Sequence, residues 1–331
     1  MRRSRTDPLR LAIISTPRAG NNWLQNLLSR AYDLPRLSPV SLPNVDWMGL
    51  PRDCVLILHW RRDPALVELL HTHRFRVISL ARHPLAVLVS ILHFALREPT
   101  GWLHDDGAEQ AILGLSPASP GFLDYACGPR AAALLAVTCD WWRAPGCLRV
   151  RYEDLLADPE EELRRLVDAI GVPPRRPVHE AAAAVTLAGL RAQHPERPHH
   201  FWQGRPDLWK TLLPAAAAHK IAAAHPTAFA PLGYGGDPDP DLTDAQADAN
   251  WRSLLGLPTD NNAPVDVLQK VLEDVKIELR QTRARLAALA QVGPLTLSLA
   301  QRWRQWSNRF PRLAGAVKCI FGRAPNLDGH A

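Results

Sequence analysis

Arg18 is the only cationic side chain in the turn TPRAGNNW, which follows an apolar run and precedes a helical pattern of apolar residues. A strand, a tight turn and a helix N-terminus together favour an anion, because the first helical amides lack intrahelical partners and the helix dipole is positive there. A Walker-type phosphate loop would need G-x-x-x-x-G-K-[ST], but this turn has one glycine, Gly20, and no lysine occurs before Lys210. The turn is interpreted either as an anion site charged by Arg18, or as a helix start that Asn21 or Asn22 caps.

A second candidate pair lies in FRVISLARHPLAVLVSILHF, residues 75–94. Arg82 follows an apolar strand, and Ser90 comes two helical turns later in a helix that begins with proline. An arginine and a serine so placed can hold one phosphate from two sides, since a guanidinium donates two parallel hydrogen bonds to it. The alternative is a surface arginine and a serine that bonds to its own helix.

Two adjacent carboxylates, Glu153 and Asp154, occur in CLRVRYEDLLADPEEELRRLVDAIGVP, residues 147–173. A catalytic acid and base pair is one interpretation. Side chains of neighbouring residues point apart, however, so a structural role is favoured, in which the carboxylates bind loop amides or arginines.

Apolar runs and helical periodicity predict the elements that position these residues. Strands are predicted at 11–15, 55–58, 77–80 and 148–152, and helices at 84–96, 131–142 and 159–170. Strands that alternate with helices predict an α/β fold, a three-layer sandwich in which helices cover both faces of a parallel sheet.

The chain is predicted to have three parts. Residues 1–234 form the α/β domain, 235–263 are a linker rich in Asp, Pro and Gly, and 264–331 are a helical extension. A heptad seam in 264–291 predicts self-association or docking onto the α/β domain; its members are Leu268, Leu272, Val275, Leu279, Thr282, Leu286 and Leu289. Residues 295–322 mix tryptophans with arginines, which suits either an anionic membrane surface or a packed or disordered basic end.

Composition excludes several classes of function. The net charge of +6 arises in the basic tail, so the remainder is balanced and no nucleic-acid partner is expected. Five cysteines without a C-x-x-C pair predict neither a disulfide framework nor a zinc site. No apolar run is long enough to span a membrane, and no signal-peptide pattern precedes the first strand. A cytoplasmic location is expected, or a peripheral one at the inner membrane surface.

Three segments, TPRAGNNWL, VISLARHPLAVLVSILHF and RYEDLLADPEEELRRLVDAIGV, resemble in order and spacing the segments typical of sulfotransferases that use 3′-phosphoadenosine 5′-phosphosulfate (PAPS). The resemblance covers residues 11–234. It implies a P-loop-like α/β fold and transfer of a sulfuryl group from PAPS to a hydroxyl or amine of an acceptor. The product nucleotide would be 3′-phosphoadenosine 5′-phosphate (PAP), and no metal would be needed.

The resemblance also implies a donor site. The first loop of such enzymes holds the 5′-phosphosulfate, and the positions that fall on it here are Arg18, Ala19, Gly20, Asn21, Asn22 and Trp23. Trp23 would stack on adenine. Arg18 replaces the usual lysine and keeps its charge, whereas Asn22 replaces the usual hydroxyl.

By the same resemblance, Arg82 and Ser90 match the 3′-phosphate site and Tyr152 meets the adenine region, although Tyr152 alone would suit a strand core equally well. The segment HHFWQGRPDLWKTLLP resembles a late loop that closes over the nucleotide. Its matching positions are Gly204, Trp209 and Lys210. The basic residues that normally precede the glycine are replaced by Trp202 and Gln203, so Arg205 or Arg197 is expected to substitute. Without the resemblance, Trp209 would pack a helix and Lys210 would be solvated.

The catalytic base in many such enzymes is a histidine after a strand, some twenty residues before the 3′-phosphate arginine. His59 in VLILHWRRDP has that position, and imidazole titrates near neutral pH, as removal of a hydroxyl proton requires. His93 and His104 are the other candidates, and a structural histidine is the alternative. Arg18 would assist catalysis by stabilising the transferred group.

Three functions are weighed: a PAPS-dependent sulfotransferase, a nucleotide-binding interaction protein with reduced activity, and a nucleoside or sugar kinase. The missing lysine and magnesium-binding hydroxyl argue against the kinase. A loop containing Trp102, His104, Asp105 and Asp106 would suit a carbohydrate or glycoconjugate acceptor, with a small alcohol or a lipid as the alternative.

Overall fold

The computed structural model describes residues 7–39, 42–97, 108–193, 202 and 204–257, and a five-stranded parallel sheet lies at its centre. The strands are β1 (Arg10–Ile14), β2 (Arg36–Leu37), β3 (Cys54–Leu58), β4 (Phe75–Ala81) and β5 (Leu148–Arg151). Their order across the sheet is β2-β3-β1-β4-β5. Because the strands are parallel, the segments that follow β1, β3 and β4 all begin at the same edge of the sheet.

The described part of the chain contains twelve α-helices. They are α1 (Asn21–Tyr32), α2 (Pro64–Thr72), α3 (Pro84–Arg97), α4 (Pro120–Cys127), α5 (Pro129–Trp142), α6 (Tyr152–Ala157), α7 (Pro159–Ile170), α8 (Val178–Ala184), α9 (Leu187–Gln193), α10 (Ala215–Ala224), α11 (Pro226–Phe229) and α12 (Asp244–Leu254). Short 3-10 helices occur at Leu42–Asn44, Ala108–Ile112, Leu208–Thr211 and Ala230–Leu232.

Side chains of β1 alternate between the two faces of the sheet. Leu11 and Ile13 pack in one apolar cluster with residues of α1 and α7, whereas Ala12 and Ile14 pack in another with residues of α2 and α5. This alternation follows from the two-residue repeat of a strand. The sheet is therefore covered by helices on both faces, and the predicted three-layer α/β fold is confirmed.

A further apolar cluster joins α3, α4 and α5 to the helices near the end of the described chain. It includes Trp251 of α12, which lies inside the segment 235–263 predicted as a linker and is 3% exposed. Thr243 and Gln246 close the start of α12 with a capping box. At least this part of the segment is packed, because Ala247 and Trp251 lie one turn apart and give the helix an apolar face. The division of the chain into three parts remains a prediction.

The predicted strands match β1, β3, β4 and β5 to within about two residues, and the three predicted helices match α3, α5 and α7. One element end was placed wrongly: Tyr152 begins α6 and does not end the strand before it. β2 was not predicted, because two residues at a sheet edge produce no periodic pattern.

Several predicted features lie outside the described residues. They are the heptad seam in 264–291, the basic segment 295–322, and the loop with Trp102, His104, Asp105 and Asp106. Within the described ranges, no helix combines the length and apolar character that crossing a membrane requires. The same ranges hold no cluster of His, Cys, Asp and Glu side chains suited to a metal ion.

Candidate active site

The turn between β1 and α1 is held in a conformation that ordinary residues rarely adopt. Arg18 has φ of 67° and Gly20 has φ of 109°. Gly20 is also the N-cap of α1, so no side chain caps the helix, and the proposed caps Asn21 and Asn22 are both helical residues. The Asn21 side chain instead braces the turn: its Nδ2 donates to the Thr16 carbonyl oxygen at 3.2 Å, and it also contacts the Ser15 hydroxyl.

Glycine is required at position 20 because Tyr152 lies against it. A Cβ on Gly20 would meet Cδ2 of the Tyr152 ring at 2.5 Å, closer than packed atoms come. The positive φ of Gly20 would strain any L residue in addition. Ala19 is buried in the core beside α1, so only its backbone is available to the turn.

Two threonines attach the turn to α5. The Thr16 amide donates to Oγ1 of Thr138 at 2.8 Å, and the two hydroxyl oxygens lie 2.9 Å apart. Thr16 Oγ1 also donates to the carbonyl oxygen of Leu134 at 2.9 Å. All three polar contacts are buried, so they fix the turn relative to the helix.

At this turn Arg18 meets two residues that are far from it in the sequence, Arg82 and Ser90. Arg82, which follows β4, donates from Nη1 to the carbonyl oxygen of Arg18 at 3.0 Å. Arg18 donates from Nε to Oγ of Ser90 on α3 at 3.3 Å, and its guanidinium lies 4.8 Å from the centroid of the Phe94 ring. Arg18 thus contacts both Arg82 and Ser90, whereas the sequence analysis paired only Arg82 with Ser90.

Arg82 carries a charge that its surroundings compensate only in part. Burial lowers the pKa of its guanidinium from the usual value, because desolvation disfavours the charged form. Arginine nevertheless stays protonated in proteins. Its Nε is buried and has no hydrogen-bond partner among the described residues. The guanidinium carbon lies 4.5 Å from the centroid of the Tyr152 ring, which supplies a cation-π contact.

Glu153, whose charge acts on Arg82, is already engaged by other groups. Glu153 accepts a hydrogen bond from the His83 amide at 2.9 Å and another from the Tyr234 hydroxyl at 2.7 Å. The structural interpretation of the carboxylate pair is therefore supported for Glu153, and Asp154 is exposed. A guanidinium with a buried, unpartnered N–H group is a site that favours a bound anion.

The two aromatic residues predicted for adenine lie in the core. Tyr152 and Trp23 pack edge to face with ring centroids 6.0 Å apart. Trp23 is 3% exposed, and its indole N–H donates to the Val185 carbonyl oxygen at 2.9 Å. This geometry does not support stacking of Trp23 on a base, since neighbouring side chains cover its ring. Burial raises the pKa of the Tyr152 phenol, so it stays neutral.

His59 lies at the same edge of the sheet as Arg18. Its Nδ1 is 2.8 Å from the carbonyl oxygen of Ser15, directly after β1. Because a carbonyl only accepts, Nδ1 carries the proton in this contact. In the neutral ring the lone pair is then on Nε2, which is the nitrogen that a general base uses.

The segment after His59 is held by the end of α5. The indole N–H of Trp141 donates to the Trp60 carbonyl oxygen at 2.8 Å. Arg61 forms an ion pair with Asp140, its Nε lying 2.8 Å from the carboxylate oxygen. These contacts fix the backbone on the C-terminal side of His59, so its ring has a defined position.

The late-loop residues are placed as packing residues. Gly204 has φ of 67°, and a Cβ there would meet Leu187 at 2.8 Å. Trp209 is buried, and Lys210 pairs with Asp207 across 3.8 Å. This arrangement favours the packing interpretation of Trp209. Among the described residues, no contact joins Lys210 to the cluster of Arg18, Arg82 and Ser90.

The other residues predicted as a base or as a substitute cation lie in different surroundings. His93 is buried and its ring stacks on Trp202 at 4.0 Å between centroids, so it is a packing residue. Arg205 is exposed. His104 and Arg197 lie outside the described residues.

His83, which the sequence analysis did not single out, holds the segment after Arg82. Its ring stacks on Trp209 with centroids 4.6 Å apart. Nδ1 accepts from the Leu85 amide at 3.3 Å, so the proton is on Nε2, which lies 2.9 Å from the Gly235 carbonyl oxygen. Burial lowers the pKa of His83 below its usual 6.5, although the charge of Glu153 opposes the shift.

This lowered pKa predicts a pH-dependent stability. Between the lowered pKa and 6.5 the unfolded chain binds more protons at His83 than the folded chain does, so the free energy of unfolding should decrease as the pH falls below 6.5. Urea unfolding from about pH 7.5 to about pH 5 measures the decrease. We expect His83→Gln, which cannot titrate, to show a smaller decrease. An equal decrease in both proteins would assign the effect to other groups.

Proteins of known family and known structure are similar to this chain. Residues 8–196 match the family model of the sulfotransferase domain. Mouse sulfotransferase SULT7A1 complexed with PAP is 15% identical and has a TM-score of 0.51, over 67% of this chain and 83% of that chain. A retinol dehydratase in complex with androsterone and the inactive cofactor PAP is also 15% identical. Its TM-score is 0.43, over 66% of this chain and 80% of that chain. Comparison with curated proteins gives no significant match.

Proposed function

The chain belongs to the sulfotransferase domain family, and from that premise we propose that it transfers the sulfuryl group of PAPS to a hydroxyl or amine of an acceptor. The observation that carries the proposal is the cluster of two part-buried arginines, Arg18 and Arg82, with the buried Ser90 at the carboxyl edge of the sheet. A nucleotide with phosphate groups at both ends needs such a concentration of fixed positive charge. PAPS is a co-substrate here, and PAP is the product.

Arg82 and Ser90 are proposed to bind the 3′-phosphate. The buried Nε of Arg82 has no hydrogen-bond partner among the described residues, and a phosphate oxygen would satisfy it. Arg18 and the backbone amides of the turn are proposed to bind the 5′-phosphosulfate. The hydrogen bond from Arg18 to Ser90 supports the assignment of these residues to one nucleotide, because it places the two proposed phosphate sites within reach of a single ligand.

His59 is proposed to be the general base. Its Nε2 would take the proton from the acceptor while the acceptor oxygen or nitrogen bonds to sulfur and the bond from sulfur to the phosphate oxygen of the donor breaks. The electron pair of that bond leaves with PAP. Arg18 would stabilise the charge on the peripheral oxygens and on the departing phosphate, which is electrostatic catalysis by a fixed cation.

The acceptor class is a separate proposal. A carbohydrate or glycoconjugate is favoured by the composition of the loop that contains Trp102 and Asp105, and a small alcohol or lipid is the alternative. Residues 264–291 are proposed to self-associate, and 295–322 to contact an anionic membrane surface. A cytoplasmic location, peripheral at the inner membrane surface, belongs with that proposal.

Melting in the presence of nucleotides tests the donor proposal. At about 100 times its dissociation constant, a ligand that binds only the folded protein stabilises it by about 2.7 kcal/mol. We expect PAP to raise the melting temperature, and ATP to raise it less at the same concentration. A larger shift with ATP would favour the kinase. Binding of PAP without transfer to any acceptor would favour the interaction protein with reduced activity.

A further inference from the structure

Two consecutive residues at the start of α6 contact the segment that carries Arg82. The Arg82 guanidinium carbon lies 4.5 Å from the centroid of the Tyr152 ring. Glu153 accepts a hydrogen bond at 2.9 Å from the backbone amide of His83, the residue directly after Arg82. One contact therefore holds the charged end of the Arg82 side chain, and the other holds the backbone next to it.

The His83 amide needs a partner from another part of the chain. β4 ends at Ala81 and α3 begins at Pro84, so this amide lies between the sheet and the first turn of a helix. The helical hydrogen bonds begin later, where the Val87 amide donates to the His83 carbonyl oxygen at 3.0 Å. An amide in such a position is satisfied by a side chain or by water. Glu153 supplies the partner and fixes the chain between β4 and α3.

Tyr234 holds the Glu153 carboxylate. Its hydroxyl donates to Oε2 at 2.7 Å, whereas the His83 amide donates to Oε1, so each carboxylate oxygen has its own donor. The Tyr234 ring is held in turn by the Arg151 guanidinium, whose carbon lies 4.8 Å from the ring centroid, and by the His83 ring, at 5.2 Å between centroids. Rotation of the carboxylate would break at least one of the two hydrogen bonds.

These contacts orient Arg82 and leave N–H groups of its guanidinium for a ligand. The Tyr152 ring meets the guanidinium through its π face, and the two described hydrogen bonds of the Glu153 carboxylate take up no N–H group of Arg82. The buried Arg82 Nε has no hydrogen-bond partner among the described residues. A group that is already held in its binding orientation loses little conformational freedom when a ligand binds.

We infer, on the premise of the proposed function, that Glu153 is a positioning residue of the 3′-phosphate site, which holds the chain after β4 so that the Arg82 guanidinium faces the phosphate. Tyr234 holds Glu153 for the same purpose. Glu153 acts through Arg82 and not on the nucleotide, because a carboxylate placed against a phosphate would repel it.

Calorimetric titration of PAP and of adenosine 5′-monophosphate, which lacks the 3′-phosphate, tests the inference. Glu153→Ala should lower the affinity for PAP about tenfold and the affinity for the monophosphate less than about twofold. Glu153→Gln also removes the charge, but its amide oxygen can accept from the His83 amide and its NH₂ group can donate to the Tyr234 hydroxyl oxygen. It should therefore bind PAP no more than about twofold more weakly than the parent protein. Asp154→Ala, which removes the exposed neighbouring carboxylate, is the matched control and should bind both nucleotides like the parent.

A double-mutant cycle tests whether Glu153 acts through Arg82. In an Arg82→Ala background, Glu153→Ala should change the affinity for PAP less than about twofold, because the guanidinium that it positions is absent. Tyr234→Phe keeps the ring and removes one hydrogen bond to the carboxylate. It should lower the affinity for PAP about threefold, and it decides the question if Glu153→Ala does not fold.

Several results would overturn the inference while the proposed function stands. Unchanged PAP affinity in Glu153→Ala, or in Tyr234→Phe, would show that the carboxylate positions nothing. Equal losses in Glu153→Gln and Glu153→Ala would assign the effect to charge. Equal losses for both nucleotides, or a tenfold loss that persists in the Arg82→Ala background, would mean that Glu153 supports the fold and not the 3′-phosphate site. If the parent protein did not bind PAP, the proposed function itself would fail.

Discussion

Replacing Arg82 by alanine is expected to weaken PAP binding by about 100-fold. Loss of a charged hydrogen-bonding group costs about 2–3 kcal/mol of binding free energy, which corresponds to that factor. The Nε of this guanidinium is buried and has no partner among the described residues. It should therefore contribute more to binding than to folding. We expect the free energy of unfolding without ligand to change little, because loss of the contact with Tyr152 is offset by removal of a poorly compensated charge.

The measurement is titration of PAP into both proteins, together with urea unfolding of each without ligand. Arg30→Ala, which removes an exposed arginine at the end of α1, is the matched control and should leave both quantities unchanged. Unchanged PAP affinity in Arg82→Ala would contradict the phosphate role. A large loss of stability without ligand would mean that the residue mainly holds the fold.

Replacing His59 by alanine is expected to reduce turnover by about 10²- to 10⁴-fold, the usual contribution of a general base. PAP affinity should stay within about twofold, because the ring contacts the Ser15 carbonyl oxygen and is proposed to act on the acceptor, not on a phosphate group of the nucleotide. The two quantities separate catalysis from binding. Initial rates at saturating PAPS and titration with PAP measure them.

His179→Ala removes an exposed histidine at the start of α8 and is the control for this experiment. It should retain full turnover. Undiminished turnover in His59→Ala would remove His59 from the mechanism. Equal losses of turnover and PAP affinity would point to a local structural role, since His59 lies directly after β3 and next to the first turn.

The sheet, and the edge of the sheet at which the candidate site residues lie, were predictable because their signals are local. Each of β1, β3 and β4 is an apolar run, and the chemistry-bearing residues Arg18, His59 and Arg82 follow those runs. Parallel strands then bring the three segments to one edge. The sequence did not predict the contact between Arg18 and Ser90. It did predict that Arg18 lies in the turn after the first strand and that Ser90 lies in the helix after Arg82.

Other parts of the site depend on packing that no local pattern encodes. Trp23 was expected to face a ligand, yet it is buried against Tyr152. Thr138, which anchors the first turn, is one hydroxyl in an alanine-rich helix. Tyr234 lies 81 residues after Glu153, and only the fold brings its hydroxyl to that carboxylate. Such residues become recognisable once the tertiary contacts are known.

Transfer of labelled sulfate from PAPS is the most direct test of the central claim, that the cationic edge of this sheet is a sulfuryl-transfer site. The full chain would be incubated with labelled PAPS and a panel of carbohydrates, small alcohols, lipids and amines. We predict label on at least one acceptor class, with formation of PAP, and loss of that label in both Arg82→Ala and His59→Ala. Transfer that persists undiminished in both variants would contradict the account.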